Sequence, residues 1–184
     1  MQVVYFASIV TAFVLGNGLV NASQVIHAQN LASTSLQAQN PCTGKTPCAG
    51  QVFKHPEIYT ENGVALDGQD VVAYFTENRF VPGKPQFVVR WKGVLWQFSS
   101  AKHRDLFTKE PAKYAPQYGG YCAKAASDGN LATTIPTAWE IRNGKLYLNY
   151  SAEAQQEWFQ DTANKIIKAD ANWKGILAND TLYR

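Results

Sequence analysis

The chain has 184 residues, 46% of them hydrophobic and 12% aromatic, with 17 Lys and Arg against 14 Asp and Glu for a net charge of +3. That is enough apolar material for one folded domain, and the small positive excess is spread along the chain without a basic face, which excludes tracking of nucleic-acid phosphates. With only 3 His and 3 Cys, acid–base or metal chemistry has to be built from very few groups.

Residues 1–22 read as a signal peptide. Val3 to Val20 is apolar, Asn21-Ala22-Ser23 offers small side chains for cleavage, and Gly16, Asn17 and Gly18 disfavour a stable membrane helix. The expected product is periplasmic or secreted, with no membrane association after cleavage. Residues 23–56 shift to Gln, Asn, Ser, Thr and Ala, the composition of a linker that cannot bury enough surface to fold. Within it Cys42 and Cys48 flank Gly44 and Pro47, and an exported pair of this spacing is expected to form a disulfide, leaving Cys122 as the odd thiol.

The folded domain is expected over 57–180. Asp67-Gly68 and Gln69-Asp70 form a turn in which Asp70 reads as an exposed acid, and the unbroken apolar run Val71 to Phe75 predicts a buried strand. Gln86 to Trp91 and Val94 to Phe98 are β-branched and aromatic runs separated by Lys92-Gly93, the signature of a tight hairpin. Ser99 and Ser100 can cap a helix beginning near Ala101, which puts His103 on the apolar face with Leu106 and Phe107. Glu110-Pro111 ends that helix and can start another.

Tyr121 to Ser127 predicts a short, tightly packed helical turn with Cys122 at its start and Asp128-Gly129 as its stop. Ala138 to Ile141 and Lys145 to Tyr150 form a second hairpin around Asn143-Gly144. Asn149 or Ser151 then caps a helix anchored by Trp158-Phe159, and Asp161 or Thr162 caps another with Ile166, Ala169 and Trp173 on one stripe. The fold class that follows is α+β: a small antiparallel sheet built from the two hairpins, covered by short helices and a C-terminal helical segment.

Two residues carry the most readable chemistry. An imidazole at His103 and a thiol at Cys122 lie on successive helical segments, and together they favour a soft metal, copper ahead of zinc. The competing reading makes His103 a core histidine satisfied by a protein partner and Cys122 a small buried hydrophobe, in a metal-free module that binds a protein or a small ligand. No G-x-S-x-G elbow, phosphate loop, H-E-x-x-H or C-x-x-C occurs, so no enzymatic activity is expected. The partner is then a metal ion or an unidentified protein.

The run Trp96-x-Phe98-Ser-Ser-Ala-Lys-His103-Arg104-Asp105-x-Phe107, followed by Pro111-x-Lys113-Tyr114, resembles the YHS domain. It is similar above all to the stand-alone secreted type, with Val71-Val72-Ala73-Tyr74-Phe75 before the hairpin, Tyr118-Gly-Gly-Tyr121-Cys122-Ala123 after it, and Lys168-Ala-Asp-Ala-Asn-Trp173 near the end. The resemblance covers Leu66 to Trp173. It implies a small module of the kind also attached to metal-transporting ATPases and some oxygenase subunits. The metal-binding version of that domain has Cys where this chain has Ser99 and His103.

Overall fold

A computed structural model describes residues 53–184. The expected signal peptide, most of the expected linker and the expected Cys42–Cys48 disulfide fall on residues outside those described.

Turn chemistry sets the strands. β1 (Thr60–Glu61) and β2 (Val64–Ala65) meet across Asn62-Gly63, β3 (Lys84–Trp91) and β4 (Val94–Phe98) across Lys92-Gly93, and β6 (Trp139–Arg142) and β7 (Lys145–Leu148) across Asn143-Gly144. All six turn residues have positive φ, from 49° to 79°, the two-residue geometry that matches the natural twist of a hairpin. Both hairpins expected from the sequence are present.

They lie in separate sheets. β2 pairs in parallel with β4, Val64 opposite Leu95, which closes the free edge of β4 and gives a sheet of order β1-β2-β4-β3. The second hairpin forms its own two-stranded sheet, and Leu148 bridges to Cys122. A third pair joins β5 (Leu131–Ala132) to β8 (Leu182–Tyr183), close to the C-terminus. The α+β class, with small sheets covered by helices, is as the sequence indicates.

The run Val71 to Phe75 is not a strand. It belongs to helix α1 (Val71–Thr76), capped by Asp70, whose Oδ1 accepts from the backbone N–H of Val72 at 3.0 Å and Ala73 at 3.3 Å. Val71, Val72, Ala73 and Tyr74 are all buried, so the segment shows no polar face to betray a helical period. A buried N-terminus with a carboxylate at its cap outweighs the strand preference of Val and Tyr.

α2 (Ala101–Lys109) begins where expected, with Ser100 Oγ accepting from His103 N–H, and α3 (Pro111–Tyr114) starts on its proline. Phe107 projects from α2 into the first sheet, with ring centroids 5.0 Å from Trp96, 5.1 Å from Phe98 and 5.7 Å from Trp91. A tight turn over Gln117–Gly120 leads to α4 (Ala123–Ser127), with Cys122 at its N-cap.

α5 (Ala152–Gln160) is capped by Ser151, and α6 (Thr162–Ile176) follows Asp161. Of the expected Trp158-Phe159 anchor, only Trp158 is buried; Phe159 is 49% exposed, because successive helical residues point about 100° apart. Trp158 also donates its indole N–H to Glu140 at 2.8 Å. Asn172 on α6 donates to the carbonyls of Ala126 and Ser127, which satisfies the C-terminal end of α4.

The packed body extends past both ends of 57–180. Lys54 and His55 N–H donate to Leu177 O at 2.9 and 3.1 Å, Tyr121 donates its hydroxyl to Pro56 O at 3.1 Å, and Thr133 N–H donates to Tyr183 O at 2.9 Å. Among the described residues, no helix is long and apolar enough to cross a membrane.

Candidate functional site

His103 is placed on α2 facing α1 and the end of β4, and it is 6% exposed. Its Nδ1–H donates to Asp70 Oδ2 at 2.7 Å, while Nε2 faces Thr76 Oγ1 at 3.2 Å and Glu77 Oε1 at 3.8 Å. The same Asp70 oxygen accepts from Ser99 N–H at 2.7 Å and Ser99 Oγ at 2.6 Å. Asp70 is therefore not the exposed turn acid that its surroundings in sequence suggest. It is fully buried and accepts five hydrogen bonds from three elements, tying the start of α1 to the end of β4 and the first turn of α2.

Carboxylate, imidazole and hydroxyl stand here in the order of a charge-stabilised nucleophile. The proton placement argues against that use. Thr76 Oγ1 donates to Val72 O at 3.0 Å, and Ser99 Oγ donates to Asp70, so both hydroxyls next to the ring direct their protons away from it. The arrangement satisfies a buried charge, as burial requires.

Cys122 sits elsewhere in the hydrogen-bond network. Its Sγ accepts from Ala125 N–H at 3.4 Å and Tyr150 N–H at 3.2 Å, and it lies 3.9 Å from Asn149 Oδ1. The hydrogen bonds of the imidazole and of the thiol have no residue in common. Nδ1 of His103 is committed to Asp70, which leaves Nε2 as the ring atom able to ligate. Among the described residues, no three His, Cys, Asp or Glu side chains gather in a metal-ligand arrangement.

Burial pushes the Cys122 thiol above the usual thiol range, against the opposing pull of the N–H groups of Ala125 and Tyr150. A thiol with so little thiolate at neutral pH, 1% exposed, is a poor nucleophile. Alkylation of native protein with iodoacetamide at pH 8, followed by mass spectrometry of the Cys122 peptide, should run markedly slower than in denaturant, since burial both lowers the thiolate fraction and closes the sulfur to the reagent. Equal rates would mean that Cys122 is open and reactive.

Two clefts have the shape of a binding site: one of about 340 Å³ is lined by Cys122, Lys124, Asp128 and Tyr150, and one of about 310 Å³, the more aromatic, is lined among others by Glu57, Trp91, Lys92, Tyr118, Asp170 and Trp173. Both volumes are at the lower end for small-molecule sites, about 300–1,000 Å³. Trp91 comes from β3, Tyr118 from the turn before α4, and Asp170 and Trp173 from one face of α6. Tyr118 and Trp173 rings lie 5.8 Å apart, and Tyr118 donates its hydroxyl to Asp170 Oδ1 at 2.9 Å. Burial, then the neighbouring Asp170 carboxylate, pushes the Tyr118 phenol well above its ordinary range, so it stays a donor.

The backbone beneath is in an uncommon conformation. Tyr118 has φ 53° and ψ 35°, followed by Gly119 at φ 60° and Gly120 at φ 87°. A bulky residue in the left-handed region is uncommon, and such backbone tends to persist where surrounding structure holds it for a purpose. Here it turns the Tyr118 ring into the cleft and brings Gly119 against Glu57, with Tyr59 N–H donating to Gly119 O at 2.9 Å.

Sequence reasoning treated Trp173 as core stripe and did not single out Trp91, Asp170 or Glu57. The only local signal was Tyr118-Gly119-Gly120, whose paired glycines announce positive φ. Compared with family models, with curated proteins and with solved structures, the chain has no match in any of the three.

Proposed function

We propose that this chain is an exported, non-catalytic module that binds a small organic ligand in the cleft between Trp91, Tyr118 and Trp173. The observation that carries the reading is the left-handed Tyr118, which fixes a phenol on Asp170 inside an aromatic-walled cleft. Concave, mostly apolar sites with a few fixed polar groups are the usual form of small-ligand recognition. The resemblance to stand-alone YHS-domain proteins is in keeping with a small module of this kind.

The separate hydrogen-bond networks of His103 and Cys122 support the metal-free reading over copper held jointly by these two side chains. On this reading His103 is structural: it hydrogen-bonds the buried Asp70 carboxylate and leaves recognition to the cleft.

The test is an NMR titration of the full chain carrying ¹⁵N-labelled tryptophan, with glycine betaine, glucose, benzoate and Cu(I) added in turn. Shifts confined to the Trp91 and Trp173 indole signals with any organic probe are the expected result. If none of the organic probes moves either signal, the cleft is not the site.

A further inference from the structure

Charge and hydrogen-bonding capacity in the cleft narrow the class of ligand. Glu57, Asp170 and Lys92 line it, and Lys174 stands one helical turn from Asp170 on α6. Both lysines give their ammonium groups to Glu57, Lys92 Nζ at 3.3 Å and Lys174 Nζ at 3.1 Å. Lys92 Nζ also lies 5.1 Å from the centre of the Trp91 ring, so that ring is already matched by a cation of the protein itself. Two carboxylates against two ammonium groups leave no net charge in or beside the cleft. An ion entering it would lose hydration without meeting an excess of the opposite sign, a cost that a neutral ligand does not carry.

The polar groups still open to a ligand are mainly acceptors. Tyr118 donates its hydroxyl to Asp170 Oδ1 at 2.9 Å, which leaves Asp170 Oδ2 and the lone pairs of the phenol oxygen. Gln117, from the same turn as Tyr118, lines the cleft and makes no side-chain hydrogen bond among the described residues, so its amide offers both an acceptor and a donor. The wall beside them is apolar, with Ala115, Pro116 and the Tyr118 and Trp173 rings. A matching ligand is neutral, donates several hydrogen bonds along one edge and presents C–H groups on a flat side. Hydroxyl groups on a saturated ring supply all three, and adjacent hydroxyls can donate together to one carboxylate.

We infer that the cleft recognises a neutral sugar ring, its adjacent hydroxyls donating to Asp170 and exchanging hydrogen bonds with the Gln117 amide, and its C–H side laid against Pro116 and Trp173. This rests on the cleft being the binding site, and it adds the ligand class and the two side chains that read it. A volume of about 310 Å³, at the lower end for small-molecule sites, suits a single ring.

The indole titration of the full chain, extended to the methyl glycosides of glucose, galactose and mannose, reads the affinity. At least one of the three glycosides should bind. Tetrahydropyran, the same ring without hydroxyls, should bind at least about tenfold more weakly, the size expected for losing hydrogen bonds to a charged group. The corresponding 2-amino sugar and uronic acid should bind no more tightly than the parent glycoside. Asp170→Asn, which keeps an acceptor for the Tyr118 hydroxyl at an exposed position, should weaken the glycoside about tenfold and leave tetrahydropyran unchanged, and Gln117→Ala should weaken the glycoside about fivefold.

Equal binding of tetrahydropyran, or full affinity of the Asp170→Asn variant for the glycoside, would overturn the inference while keeping the cleft as an apolar site. Tighter binding of the amino sugar or the uronic acid would overturn it in favour of a charged ligand. If no glycoside moves the Trp91 or Trp173 signal it is overturned as well, and benzoate and glycine betaine in the same titration then report separately on whether the cleft binds anything.

Discussion

Replacing Asp70 by alanine is expected to destabilise the domain by about 3–5 kcal/mol, because it leaves several buried donors unpaired at once. The carboxylate is fully buried, and its loss strands the N–H groups of Val72 and Ser99 together with the His103 ring. Each stranded donor carries its own desolvation cost of about 1–3 kcal/mol. Asp70→Asn should cost less, because the amide oxygen can still accept at one of the two positions. Chemical denaturation of Asp70→Ala, His103→Leu and the double variant provides the check. The double variant should be more stable than the sum of the two single changes implies, since the second removes the polar group that the first left without its partner. A cost below 1 kcal/mol for Asp70→Ala would mean that the network contributes little to the fold.

Gly119→Ala is expected to cost about 3 kcal/mol or more, or to prevent folding. A Cβ on Gly119 would stand 1.8 Å from Glu57 O, a backbone atom that cannot rotate aside, and φ of 60° adds the left-handed cost of about 1–2 kcal/mol. The hydrogen bond from Tyr59 N–H to Gly119 O holds the two segments together, so relief would require β1 to move away. Gly144→Ala is the control: its φ is 72°, but nothing lies within 4 Å of its Cβ position. It should show the conformational cost alone. If both variants lost the same stability, the close approach to Glu57 would not be real.

Much of the fold was legible because its signals are local. The Lys92-Gly93 and Asn143-Gly144 pairs need positive φ at both positions, and few structures other than a two-residue hairpin use that. Ser100 and Ser151 cap their helices with hydroxyls that accept from a backbone N–H three residues on, a relation written in four consecutive residues. Val71 to Phe75 was misread for the opposite reason. Its helix is short and its first four residues are all buried, so composition pointed to a strand, and the deciding group was the cap residue just before it.

The site was less legible because its partners are distant. Asp70 finds Ser99 29 residues on and His103 33 residues on, and no periodicity predicts such a meeting. His103 and Cys122 stand out in the sequence as its most readable chemical groups, but their chemistry alone does not say whether they converge. The cleft joins Glu57, Trp91, Tyr118 and Asp170 from separate segments, with Tyr118 reaching Asp170 across 52 residues. Only the glycines after Tyr118 hinted that its backbone was special.

The claim at the centre of this account is that the imidazole and the thiol serve the core and that recognition belongs to the cleft. The most direct measurement is a Cu(I) titration of the reduced full chain under a competing chelator, run beside His103→Asn and Cys122→Ser variants of confirmed fold. The account predicts no copper equivalent that depends on both residues, so that all three proteins give the same curve. One bound equivalent in the parent chain, lost in both variants, would contradict it and establish a joint His103–Cys122 copper site.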